Sequence, residues 1–165
     1  MVSCKILHAV EHGIYILKFT GEVRLNMCST LDMIIERMRD DSMFITVVID
    51  LTEASVIDST TLGLLAKIGI FARKADKILP TIVSTNPDIT RLVHSMGFDE
   101  LFIIVERAFS QIEHLDEVPI LTATEEEVRE KVLVAHKVLM DLNSRNKESF
   151  KDLVRVLEEE QRQAS

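Results

Sequence analysis

Along most of the chain, short apolar runs alternate with longer segments in which apolar residues recur every three or four positions. Ile14 to Thr20 is β-branched and aromatic and lies between Gly13 and Gly21, which predicts a strand. Lys5 to Val10 predicts its partner, with Glu11-His12-Gly13 as the turn. From Ser29 to Arg39, Leu31, Ile34, Ile35 and Met38 form one apolar helical face. Met43 to Ile49 is almost continuously apolar but too short for a helix, which suits a central strand covered on both faces. The alternation then repeats: a helix over Thr60 to Lys74 and a strand over Leu79 to Ser84. Asn86 and Pro87 read as the cap and first residue of the next helix, which ends at Gly97. A strand over Leu101 to Val105 and a helix over Arg107 to Leu115 complete the series. Such a succession implies an α/β sheet with helical crossovers.

The pattern changes after Pro119. Thr124-Glu125-Glu126-Glu127 is a capping box ahead of a helix reaching Leu142, with Val128, Val132, Ala135, Val138 and Leu139 as its apolar stripe. Asn143 to Asn146 reads as a loop, and a second helix runs from Lys147 to Gln161. The expected division is an α/β domain over residues 1–117 and a helical extension over 118–165. Two amphipathic helices packed only on each other bury little, so each stripe meets something further. That is either the chain's own sheet and helices or a partner surface, such as a homodimer formed through the C-terminal helices or a groove for a regulatory target. Met27, Met33, Met38 and Met43 cluster around the first helix and read as core filling.

Composition narrows the function classes. The 165 residues are 47% hydrophobic and 28% charged, enough for one core and too apolar for disorder. A net charge of −8 repels phosphate backbones, so nucleic acid is not an expected partner. No apolar run reaches the roughly 20 residues that span a bilayer. Met1 to Val10 lacks the basic start and long apolar core of a signal peptide, so the expectation is a cytoplasmic protein without a membrane partner. Cys4 and Cys28 give neither a disulfide framework nor a zinc site. The five glycines form no phosphate loop, no HExxH is present, and no Ser or Cys sits in a nucleophile elbow. His8, His12, His94, His114 and His136 are scattered and read as surface or core-edge residues. No cofactor, metal or catalytic activity is expected.

One segment carries more. Val47 to Leu65 reads as a strand, a short loop, and then Asp58, Ser59, Thr60 and Thr61 at the start of an apolar helix. The simplest role is capping, with Asp58 or Ser59 accepting from a free N–H two or three residues on. The sharper role is a switch. A serine at a helix N-terminus lies where the macrodipole and unpaired amides stabilise a phosphate. Phosphorylation there adds about −1.5 to −2 charges, enough to break a docked interface. A small anionic ligand is a third reading, opposed at close range by the charge of Asp58.

The Ile49-Asp50-Leu51 strand end, the Val56-Ile57-Asp58-Ser59 entry, the Leu62-Gly63-Leu64-Leu65 helix start and the Asn86-Pro87 to Met96-Gly97-Phe98 helix resemble a STAS domain. Gly21-Glu22-Val23 is similar to that family's Gly-Glu-Leu. The resemblance covers about Ser3 to Leu115 and is nearest to the bacterial anti-sigma factor antagonists. It implies an α/β fold, a mixed sheet of four or five strands with helices mainly on one face, here followed by a C-terminal α-helical hairpin. It further implies that Ser59 is the phosphorylated serine, with Thr60 as a lesser acceptor. Asp58, Thr60, Thr61, Leu62 and Gly63 would shape the site and dock the partner. The implied mechanism is partner switching: the unphosphorylated form binds an anti-sigma factor or a GHKL-type serine kinase. Phosphorylation releases it, a PP2C-type phosphatase resets it, and a downstream regulatory protein takes the output. Thr61 stands where many members have Gly, and Arg24 where an Asp is frequent. The alternative from the residues alone is a non-switching scaffold or oligomerisation subunit in which Ser59 merely caps a helix.

Overall fold

A computed structural model describes residues 3–75, 78–108 and 114–164. Strands β1 (Lys5–Glu11) and β2 (Ile14–Val23) form an antiparallel hairpin. Its two-residue turn has φ of 49° at His12 and 83° at Gly13. A Cβ at Gly13 would also lie 2.0 Å from the Met43 carbonyl oxygen, so both conformation and space require glycine. Then follow α1 (Cys28–Asp40), β3 (Thr46–Ile57), α2 (Ser59–Ala75), β4 (Thr81–Val83), α3 (Pro87–Ser95), β5 (Ile103–Val105) and β6 (Asp116–Glu117). The chain ends with α4 (Glu125–Leu142) and α5 (Ser144–Ala164).

The sheet order is β5-β4-β3-β2-β1-β6. β1 is antiparallel to both its neighbours, and the β2-β3-β4-β5 pairs are parallel. The described residues thus hold six strands, one more than the pattern predicts; two-residue β6 is too short to leave a periodic signature. The expected helix over Arg107 to Leu115 is not found at its ends, since Arg107, Ala108, His114 and Leu115 are irregular. Its middle lies outside the described residues.

β3 is central, as expected, but not covered on both faces. Val47, Ile49 and Leu51 are fully buried while the alternate Val48, Asp50 and Thr52 are only half-buried. β2 alternates likewise, with Leu17, Phe19 and Val23 inside and Lys18, Thr20 and Glu22 less covered. The helices therefore lie mainly on one face, and β3 tolerates Asp50 and Glu53 because its second face is open. The methionines split: Met27 and Met38 fill the core, whereas Met43 is exposed.

α2 is the most enclosed helix. Leu64, Leu65 and Ala66 are consecutive and all essentially inaccessible, so no single face accounts for their burial. One side of α2 meets the sheet and α1; the other meets α4. The extension therefore docks on its own chain. Thr124 caps α4 by accepting from the Glu127 amide at 3.1 Å, as the capping box predicts. The expected loop after Leu142 is a single residue, because Asn143 accepts from the Asn146 amide at 2.7 Å and starts α5 at Ser144. Asn146 is buried and donates to the carbonyls of Leu139 (3.0 Å) and Met96 (2.9 Å), tying the hairpin turn to the end of α3.

At another edge Tyr15 packs against Phe44, and its hydroxyl donates to Asp41 at 2.6 Å. Burial, then the hydrogen bond and charge of Asp41, push the phenol up to about 12. Tyr15 is the single tyrosine, so the ultraviolet absorbance change that accompanies phenol ionisation reports this group alone. The folded protein should ionise its phenol near pH 12 and the denatured chain near the ordinary value of 10.0. A phenol pKa raised by folding contributes stability below pH 10.0 that is lost as pH climbs toward 12. Coincident titration curves for the two states would refute the Tyr15–Asp41 contact.

Candidate functional site

β4 pairs with β3 only at Val48 to Asp50, but β3 continues to Ile57 along β2, through two register shifts that end at Val23 opposite Ile57. The Asp58 amide donates to the Val23 carbonyl at 3.0 Å and fixes the chain where it leaves the sheet. Asp58 then caps α2. Its carboxylate accepts from the Thr61 amide at 2.8 Å, and its carbonyl accepts from the Leu62 amide at 3.0 Å.

Ser59 is consequently the first helical residue and not the cap. Its Oγ lies 2.8 Å from Nε2 of His136 on α4. The other ring nitrogen, Nδ1, is 2.7 Å from the Val132 carbonyl. A carbonyl only accepts, so Nδ1 carries a proton and donates to Val132, while Nε2 pairs with the Ser59 hydroxyl. His136 is buried, with its ring edge-on to Phe150 at 5.2 Å between centroids.

The other expected site residues are near Ser59 but not on a free surface. Asp58 is half-buried, and Thr60, Thr61, Leu62 and Gly63 are buried. A Cβ on Gly63 would sit 2.2 Å from the Ala135 carbonyl oxygen of α4. A turn further, Lys67 lies 3.5 Å from Asp32 of α1, which also binds Lys131 of α4. Partial burial lowers the Lys131 pKa, but the hydrogen bond and charge of Asp32 outweigh it and hold the ammonium above its ordinary value. Ser59, Gly63 and Lys67 thus form one stripe, spaced by four: the first two meet His136 and Ala135 of α4, and Lys67 shares Asp32 of α1 with Lys131.

Sequence reasoning missed His136, Asp32, Lys67 and Lys131. The signal for His136 was its place one turn after Val132 on the apolar stripe of α4, where a solvated histidine does not belong. The small-anion reading weakens further, because one free amide of α2 is already held by Asp58 and Ser59 faces α4. Cys4 and Cys28 are both free and buried, and burial pushes the Cys4 thiol up to about 11. Among the described residues no His, Cys, Asp or Glu group could hold a metal ion, and no helix is long and apolar enough to cross a membrane.

The family model of the STAS domain matches residues 5–115, which includes the Asp58-Ser59 entry and all of α2. The chain belongs to the STAS domain family. The match stops before α4 and α5, so the hairpin that covers Ser59 lies outside the shared domain. Two solved structures share the STAS fold. An anti-sigma factor antagonist from Mycobacterium paratuberculosis is 22% identical with a TM-score of 0.52, covering 64% of this chain and 87% of its own. The anti-sigma factor antagonist SpoIIAA in its unphosphorylated form is 15% identical with a TM-score of 0.52, covering 78% of this chain and 95% of its own. No curated protein sequence matches the chain.

The division of labour between Asp58 and Ser59 is measurable. Asp58→Ala should lower stability by about 1 kcal/mol in chemical denaturation, the usual loss for an N-cap. Ser59→Ala should leave the cap intact and shift only the surroundings of His136, seen as a change in its imidazole NMR signals. A larger loss of helix from Ser59→Ala than from Asp58→Ala would overturn this assignment.

Proposed function

We propose that this STAS protein is an anti-sigma factor antagonist that acts by partner switching, with Ser59 as its phosphorylated residue. The observation that carries the reading is that Asp58 caps α2, which leaves the Ser59 hydroxyl with no structural duty in its own helix. A phosphate on Ser59 sits at the positive end of α2, where the macrodipole favours it. Asp58 adds a second negative charge beside it, so a partner that docks on neutral Ser59 meets repulsion and desolvation once the phosphate is present. Two structures with the same fold are anti-sigma factor antagonists, one of them in an unphosphorylated form, which supports the same role here.

In this reading the unphosphorylated protein binds an anti-sigma factor or GHKL-type serine kinase in the cytoplasm and frees that factor's client. The kinase modifies Ser59 and dissociates, and a PP2C-type phosphatase restores the binding form. Thr60 is the poorer acceptor because it is the more buried hydroxyl. The protein itself catalyses nothing; its chemistry is to accept and lose a phosphoryl group. The scaffold alternative needs Ser59 as a cap, and Asp58 holds that position.

Intact mass of the protein purified from its own host tests this. The wild type should carry a phosphatase-sensitive gain of ~80 Da, one phosphoryl group, that is absent from Ser59→Ala. No modification under any growth condition, or an equal gain in Ser59→Ala, would sink the assignment.

A further inference from the structure

Two of the expected site residues of α2, Ser59 and Gly63, lie directly against a helix that the matched STAS domain does not include. α4 makes the contact, and α5 packs mainly on α4. The seam is close at Gly63, where α2 meets the backbone of Ala135. It is specific at both ends: Ser59 binds His136, and Asp32 gathers Lys67 from the domain and Lys131 from the hairpin. The turn is held separately by Asn143 and Asn146 on the Met96 carbonyl.

We propose that the α4–α5 hairpin is an intramolecular cap on the docking face of α2, and that it must leave before Ser59 is modified or a partner binds. The inference rests on the reading of Ser59 as the modified residue. In the closed state the half-buried Ser59 pairs its hydroxyl with His136 Nε2 of α4. Phosphorylation forms a bond from Ser59 Oγ to the γ-phosphorus of ATP held by the kinase; the serine proton leaves, and ADP departs. A kinase that docks on this face of α2 needs the space that α4 occupies at Gly63. The phosphoryl group is also larger than the hydroxyl it replaces, and the seam beside it is closed by direct backbone contact at Gly63. The hairpin and an external partner therefore compete for the same face.

Hydrogen exchange on the full-length protein tests the cap with two variants that act from opposite sides. Gly63→Ala drives a methyl into the Ala135 carbonyl while giving α2 a better helix former. Lys131→Glu sets a carboxylate against Asp32 from the hairpin side. In each, α4 amides should exchange about tenfold faster or more while β2 and β3 amides keep their protection. Unchanged α4 protection in both Gly63→Ala and Lys131→Glu would overturn the cap. So would loss of α4 protection only together with β2 and β3, which would make the hairpin part of the core. In the host, Lys131→Glu should carry a higher phosphorylated fraction than wild type. A hairpin that opens while neither protein carries phosphate would overturn the Ser59 reading and its coupling to the cap, leaving α4 as a removable cover of α2.

Discussion

α2 carries three consecutive buried residues, Leu64, Leu65 and Ala66, and a helix of that kind has to be covered on more than one side. The sheet and α1 supply one cover. α4 supplies the other, and the positions that admit it are small or polar: Ser59, Gly63 and Lys67. Glycine at 63 lets the two backbones approach to a separation that any side chain would prevent. From this constraint follow the burial of Thr60 to Gly63, the enclosure of His136 and the attachment of the hairpin.

The same constraint shapes what a regulatory exchange would involve. If α4 moved away with nothing in its place, α2 would expose the apolar surface around Gly63 that α4 now covers, at roughly 25 cal/mol for each Å². An incoming partner that lays its own surface on α2 offsets that cost. Under the proposed function, partner switching in this chain is an exchange of one cover for another, and the polar contacts at the rim decide when it occurs. Ser59 sits at that rim, at the end of the seam where a change of charge acts on the contact with least disturbance of the sheet.

The capping arrangement explains how two adjacent polar residues take different duties. Asp58 is fixed by its amide on Val23 and by its carboxylate on Thr61, so it is built into the joint between β2, β3 and α2. Ser59 contributes only its hydroxyl, which is directed at another helix. A modification at Ser59 therefore leaves the joint intact. The length of β3 matters here: its continuation along β2 beyond β4 brings Asp58 level with Val23.

Much of this was legible in the order of residues. Local signals stand within a few positions of what they control, so the β1–β2 turn at Gly13, the caps at Asn86 and Thr124, and the periodic faces of α1 and α4 could be read directly. The family pattern over the first two thirds was legible for the same reason, being a succession of such local elements. Other features depended on pairs far apart in the chain. Ser59 and His136 are separated by 77 positions, and Lys131 and Asp32 by 99. The choice of Asp58 over Ser59 as cap, the open second face of β3, and the seating of the hairpin on α2 all belong to this group. Sequence determined most of the helices and strands and most of the sides that sought burial, because those preferences are set by neighbours along the chain; two-residue β6 left no such signal. Tertiary structure alone decided which buried side met which, because that depends on shape and on the pairing of polar groups across the core.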